Sequence, residues 1–374
     1  MQERNTPASA VSDTQSTIWL SWLTLVGCGN SFSNGGGPAP DGTAGCNMAC
    51  KGNAAETCGG GNRLDVWQHG GGGGSTPPSG GSYTLKNSYT ASNFFSQVTF
   101  FTGGDPTHGF VDYLTQSQAQ SEGLINTNNN QIFMGVDYKT ANPSGGRGSV
   151  RVTSNQAWTH GLFLADIAHM PGGICGTWPA FWLVGPNWPN NGEIDIIEGV
   201  HQSTTDSITL HTAAGCSINI AGSNSGSVLD YTNCNTANAN DGCGVSTTNT
   251  QGYGAGFNAI GGGVYATQWT SSAIAVWFFP RNAIPADITS GNPNPSGWGQ
   301  PTVTFNGGSG CNIDSFFQNE QFVFDTTFCG DWAGNVWTTS SCANLADSCQ
   351  DYVAGNPGAF QNAYWTVNYV KVYQ

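Results

Sequence analysis

Glu193-Ile-Asp-Ile-Ile-Glu198 places three carboxylates within six residues, interleaved with strand-forming isoleucines. Acids alternate with Ile in this way when one side of a strand faces a polar cleft and the other faces a core. Paired carboxylic acids in a cleft are the equipment for glycoside hydrolysis, in which one protonates the leaving oxygen and the other attacks or activates water. The two-residue strand period sets Glu193 and Asp195 on one face, and strict alternation would bring Ile197 there next. Glu198 joins the pair if one extra residue is accommodated, as a β-bulge does beside many active sites. The plain alternative is a surface strand with scattered acids; the flanking residues argue against it.

Those flanks run Gly176-Thr-Trp-Pro-Ala-Phe-Trp-Leu-Val-Gly-Pro-Asn-Trp-Pro-Asn-Asn-Gly192, so Trp178, Trp182 and Trp188 precede Glu193 by 15, 11 and 5 residues. A flat aromatic ring beside a polar cleft suits the apolar face of a pyranose, and its indole N–H can serve a hydroxyl. With the acids, this segment resembles the catalytic signature of glycoside hydrolase family 16 in its bulged, laminarinase-like form, and more closely the fungal secreted endo-β-1,3(4)-glucanases. The likeness runs from about Tyr83 to Gln374. It takes in Asp105-Pro-Thr-His-Gly-Phe-Val-Asp-Tyr113, Gly146-Arg-Gly-Ser-Val-Arg-Val152, His211-Thr-Ala-Ala-Gly-Cys216 and Tyr364-Trp-Thr-Val-Asn-Tyr-Val-Lys-Val-Tyr373.

The resemblance implies Glu193 as nucleophile, Asp195 as assisting acid and Glu198 as general acid/base. Carboxyls about 5–5.5 Å apart permit direct attack and retention, and a bulged strand face can hold them that close. Three acids so near one another cannot all ionise cheaply, so their pKa values must split. Trp182 and Trp188 are expected to touch sugar. Trp178 serves either as a sugar platform or as core. His211, just downstream, bonds Asp195 or the sugar, or is structural; Arg147 reaches a cleft hydroxyl or is a paired surface charge. No metal and no cofactor are expected. A structural Ca²⁺ is compatible with the fold, but no acidic loop demands one.

Composition narrows the remaining classes. Nine Lys and Arg against 23 Asp and Glu give a net charge of −14, which excludes a nucleic-acid phosphate binder and disfavours anionic membranes. A neutral β-glucan is indifferent to that charge. Only 9% of residues are charged while 11% are aromatic and 54 are Gly, a composition that fills a core and supplies many turns. The 12 cysteines lack metal-ligand spacing and point to disulfides, hence to a secreted, extracellular and expectedly monomeric protein. Four of them (28, 46, 50 and 58) fall in the N-terminal part, and eight (175, 216, 234, 243, 311, 329, 342 and 349) in the large domain. Each set can close on itself, and spacing does not fix the pairing.

Four segments are expected. Residues 1–27 are unassigned; their apolar run Ile18 to Val26 is too short to span a bilayer and follows a polar stretch unlike a signal peptide. Residues 28–69, with Gly45-Cys-Asn-Met-Ala-Cys50 and Cys58, resemble the second half of a WSC domain, a cysteine-rich module associated with carbohydrate binding. So small a unit stands only with staples. Residues 70–82, Gly-, Ser- and Pro-rich, are a flexible linker reaching about 20 Å as a coil. Residues 83–374 read as one all-β domain. Short apolar or alternating runs (Asn93 to Phe101, Ser149 to Thr153, Gly161 to Ile167, Ser207 to His211, Ser272 to Phe279, Ala363 to Tyr373) are divided mostly by Gly, Pro, Asn or Ser. No helical stripe appears, and Ala343 to Tyr352 offers one short turn. The pattern gives a β-sandwich, which the resemblance sharpens to a curved β-jelly roll with substrate across its concave face.

Overall fold

The computed structural model describes residues 83–237 and 242–374. The terminal segment, the WSC-like module and the linker expected over residues 1–82 lie outside the described residues. Within them, strands dominate and assemble into two eight-stranded sheets and one short two-stranded parallel pair, Val111–Tyr113 with Arg147–Ser149. Every pairing in the two large sheets is antiparallel. This is the β-sandwich that the run of short strands implies, in the β-jelly-roll form that the resemblance implies.

The first sheet is ordered Val303–Asn306, Ala273–Pro280, Gly263–Trp269, Gly161–His169, Tyr364–Tyr373, Ile132–Gly135, Ile125–Asn126, with Leu85–Thr90 also paired to Tyr364–Tyr373. Gly161-Leu-Phe-Leu-Ala-Asp-Ile167 reads as nearly continuous apolar sequence because it is covered on both sides. Phe163, Ala165 and Ile167 enter the main core. Leu162 and Leu164 pack outward with Trp277, Ile288 and Tyr373 in a second cluster that Trp298 adjoins.

The second sheet carries the acids. Its order is Ser227–Tyr231, Cys243–Thr247, Ser207–His211, Glu193–Glu198, Thr177–Val184, Gln321–Phe328, Arg151–Ser154, Val98–Phe100. One face is core: Phe181, Leu183, Ile194, Ile197, Ile208, Leu210, Phe322 and Phe324 are all buried there. Phe181 stacks on Phe324 at 4.4 Å between centroids, and Phe324 meets Trp365 of the other sheet edge-on at 5.3 Å.

One expected strand is corrected. Asn93 to Phe101 divides into a 3₁₀ turn, Phe94–Ser96, and a short strand, Val98–Phe100. The Asn93 side chain accepts the Thr90 N–H at 2.7 Å and donates to the Ser88 carbonyl at 2.8 Å, a local bonding that competes with the ladder. The five α-helices among the described residues are four to seven residues long. One, Cys349–Gly355, overlaps the expected turn and starts at Ser348, whose hydroxyl accepts the Asp351 N–H. All eight cysteines of the domain are paired: 175 with 342, 216 with 311, 234 with 243, and 329 with 349. Among the described residues no helix is long and apolar enough to cross a membrane.

Candidate active site

The bulge sits inside the acidic strand. Against Ser207–His211 the register reads Asp195↔Thr209, then Glu198↔Ser207, so three steps on one strand match two on the other. Against Thr177–Val184 it reads Asp195↔Trp182, then Ile197↔Phe181. One extra residue is therefore taken up after Asp195, and Ile194, Ile196 and Ile197 all enter the core. Glu193, Asp195 and Glu198 remain together on the opposite face. Just before them Gly192 takes φ +80, and a Cβ there would come within 2.4 Å of Phe317 and 2.6 Å of the Phe316 carbonyl, so only glycine fits.

Cross-strand pairing extends that face into three rows. One row holds Val184, Glu193 and His211; the next Val323, Trp182, Asp195 and Thr209; the third Arg151, Asp325, Ala180, Glu198 and Ser207. Val323, Trp182 and Ala180 form a small buried apolar floor between the charged groups.

His211 Nε2 lies 3.1 Å from Asp195 Oδ2, and Asp195 is only 2% exposed. Beside the ring, Gly242 (φ +120) leaves the room that a Cβ, 2.7 Å from Nδ1, would take. The Trp178 indole N–H donates to Glu198 Oε1 at 2.7 Å. Trp178 meets Trp332 edge-on at 5.7 Å. Trp188 stands 51% exposed with its indole directed at Glu193. Trp182 is largely buried, its ring 4.8 Å below the Arg151 guanidinium.

Burial, then the neighbouring Asp195 charge, pushes Glu198 up to about 8, against the pull of the Trp178 N–H and His211. Glu193 is also held well above the ordinary range, by burial first and the Asp195 charge second. His211 and the Trp188 N–H favour its anion. Glu198 therefore holds its proton at neutral pH, and Glu193, like Glu198, has an indole N–H and His211 acting to favour its anion.

Arg147 is corrected. It is fully buried rather than in the cleft or on the surface, and its donors reach the carbonyls of Val353, Asp137 and Thr140 and the Asp137 carboxylate. The arginine on the acid-bearing face is Arg151, four residues on, which sequence reasoning passed over. It lies over Trp182 and Phe101 and 4.0 Å from Asp325, a carboxyl pushed up to about 6 by burial despite that arginine. Alternation was the available signal, since Val150 and Val152 point to the core and leave Arg151 for the other face. Glu320 was missed as well: fully buried behind Gly192, it is held well above the usual range by burial first and by the charges of Glu193 and Asp195 after it. Glu193, Asp195 and His211 bring ligand atoms within 4.8 Å of one another, the one such group found among the described residues. Two carboxylates and an imidazole are donors a divalent ion accepts, although here each is already engaged by its neighbours.

The description of the XgeA-like catalytic GH16 domain matches residues 98–373, most of the chain. The chain belongs to glycoside hydrolase family 16. Within this family it is similar to the endo-1,3(4)-β-glucanase of Arthroderma benhamiae, 47% identical over 299 residues, covering 78% of this chain and 65% of that protein. The chain thus spans less than two thirds of that relative's length. Among solved family 16 structures it resembles laminarinase 16A from Phanerochaete chrysosporium, seen with β-glucans in donor and acceptor sites (41% identity, TM-score 0.72, 79% of this chain and all of that one). It also resembles an elongating family 16 β-1,3-glucosyltransferase (43% identity, TM-score 0.73, 78% of this chain and all of that one).

Proposed function

We propose that the chain is a retaining endo-β-glucanase that cuts β-1,3 linkages in laminarin-like and mixed-linkage glucans. The observation that carries this reading is the bulge, which keeps Glu193, Asp195 and Glu198 on one sheet face, with Glu198 protonated up to about pH 8. Glu193 attacks carbon 1 as Glu198 gives its proton to the leaving oxygen. The glycosyl ester on Glu193 is then hydrolysed by water, which passes a proton back to Glu198. Asp195, bonded to His211, shares the field with Glu193 and keeps the nucleophile aimed. Trp178, Trp182, Trp188 and Arg151 line the path of the sugars. The names of the Arthroderma and Phanerochaete relatives support β-glucan as substrate. The four disulfides suit an oxidising, extracellular location.

Reducing-sugar release from laminarin tests the proposal. Glu193→Gln should be inert. Glu198→Gln should lose about 10²–10⁴-fold yet still turn over aryl glycosides whose leaving group needs no proton. Wild-type rates from Glu193→Gln would sink the assignment. A second reading, transfer of the same glycosyl ester to a sugar acceptor, is favoured by the likeness to the elongating glucosyltransferase. Products longer than the starting oligosaccharide would support it.

A further inference from the structure

Asp206 lies behind the bulge and has no part in the chemistry above. It is 1% exposed. Its backbone is fixed on both sides to Thr247, the N–H donating to Oγ1 at 3.0 Å and the carbonyl accepting the Thr247 N–H at 2.9 Å. Its Oδ1 accepts the backbone N–H of Glu198 at 2.9 Å. The ladder shifts register between Asp195 and Glu198, and there a side-chain oxygen takes the Glu198 N–H. On the other side, the Tyr265 hydroxyl lies 3.0 Å from Oδ2 and 2.6 Å from the Gly252 carbonyl.

A count of protons decides the state of this acid. Tyr265 has a single hydroxyl proton for two acceptors, and the Gly252 carbonyl is the nearer. An ionised Asp206 would leave either Oδ2 or the Gly252 carbonyl facing the phenol oxygen with no proton between them. A proton on Oδ2 completes the chain: Oδ2–H donates to Tyr265, Tyr265 donates to Gly252, and Oδ1 keeps the Glu198 N–H. The titratable groups facing Asp206 are Glu198, Tyr253 and Tyr265, none of them a cation. Burial accordingly holds the Asp206 carboxyl well above the usual range, even against the N–H groups of Glu198 and Ser207 and the Tyr265 hydroxyl.

We infer that Asp206 is a positioning residue which, as a neutral acid, fastens the bulge through the Glu198 N–H and so aims the Glu198 carboxyl into the cleft. This rests on the reading of Glu198 as general acid/base. Asn reproduces a neutral acid, accepting at Oδ1 and donating to Tyr265 from Nδ2, whereas Ala removes the clasp.

Both variants of the full chain should be assayed on laminarin and on an aryl β-glucoside with an activated leaving group. Asp206→Asn should stay within about 3-fold of wild type on both, with the basic limb of its pH profile unmoved. Asp206→Ala should lose about 100-fold on laminarin, a share of what general-acid catalysis supplies, and less than about 10-fold on the activated substrate. A merely structural role would lower both substrates together, in step with the folded fraction. Equal losses, or an Asn variant as damaged as the Ala variant, would overturn the inference. A carbon-13 titration of the Asp206 carboxyl reads the same claim without turnover: the protonated shift should persist at neutral pH, and a carboxylate shift overturns it even if the Ala variant does not fold. Wild-type chain inert on both substrates, with Asp206 still protonated, would count against the glucanase reading and leave the clasp standing.

Discussion

Trp178→Phe isolates the hydrogen bond that tunes the acid. The substitution keeps an aromatic ring against Trp332 and deletes the N–H that donates to Glu198 Oε1 at 2.7 Å. That bond favours the Glu198 anion, so its loss raises the carboxyl further above about 8. A hydrogen bond to a charged group is worth about 1.5–3 kcal/mol net, and 1.36 kcal/mol corresponds to one pKa unit. Glu198 is only partly covered, so water recovers part of that interaction and the low end applies, a rise of about one unit. The basic limb of kcat/KM on laminarin, which reports the free enzyme, should therefore move from about 8 to about 9. The acid limb, assigned to Glu193, belongs to a carboxyl that Trp178 does not touch and should hold. Asp195→Asn should act in the opposite sense, because its charge is the largest electrostatic push on Glu198. A basic limb that stays in place or falls in Trp178→Phe would refute the assignment of that limb to Glu198.

Stability should depend on pH through the same groups. An acid with a raised native pKa stabilises the fold fully below its unfolded value and loses that contribution as pH rises through the native one. For Glu198 the window runs from 4.5 to about 8, and for Asp325 from 3.8 to about 6. His169 and His201, lowered mainly by burial, act oppositely: their contribution is present above 6.5 and lost as pH falls through the native value. Calorimetry should show Tm falling between pH 6.5 and 8.5, less steeply in Glu198→Gln; a Tm that climbs over that range contradicts the scheme. The two arginines should separate cleanly. Arg147→Met, which orphans Asp137 and several buried carbonyls, should cost about 3–5 kcal/mol in denaturant unfolding with kcat of the folded fraction intact. Arg151→Met should instead raise KM on laminarin with a much smaller change in Tm, and the reverse pattern would restore Arg147 to the cleft.

Most of the sheet architecture was legible because core strands advertise themselves. Gly161 to Ile167 and Ser272 to Phe279 carry apolar runs that only a strand buried on both faces needs, and both form as expected. The segment Asn93 to Phe101 misled because its composition is that of a strand while a single side chain, Asn93, bends it into a turn. Between Ala214 and Ile260 there was little to read. That stretch is held by two disulfides, from 216 to 311 and from 234 to 243, and its strand Ser227–Tyr231 lies at the sheet edge with little core to bury. Its order comes from cross-links and partners distant in sequence.

The acids themselves were readable for a different reason. A strand has only two faces, so a six-residue motif with three acids either scatters them or needs one extra residue, and sequence alone poses that choice sharply. What sequence cannot pose is which neighbours arrive from other strands. Arg147 and Arg151 stand in the same short run; one ends among backbone carbonyls of the helix Cys349–Gly355 and the other over Trp182 beside the strand Gln321–Phe328, helix and strand both more than a hundred residues away. Asp206 shows the same limit more strongly. Nothing in Thr204-Thr-Asp-Ser207 marks an acid as the clasp of a bulge eight residues upstream. Its role emerges only when the Glu198 N–H, Tyr265 and Gly252 are brought to it, and a change confined to residue 206 should therefore be felt at the carboxyl of residue 198.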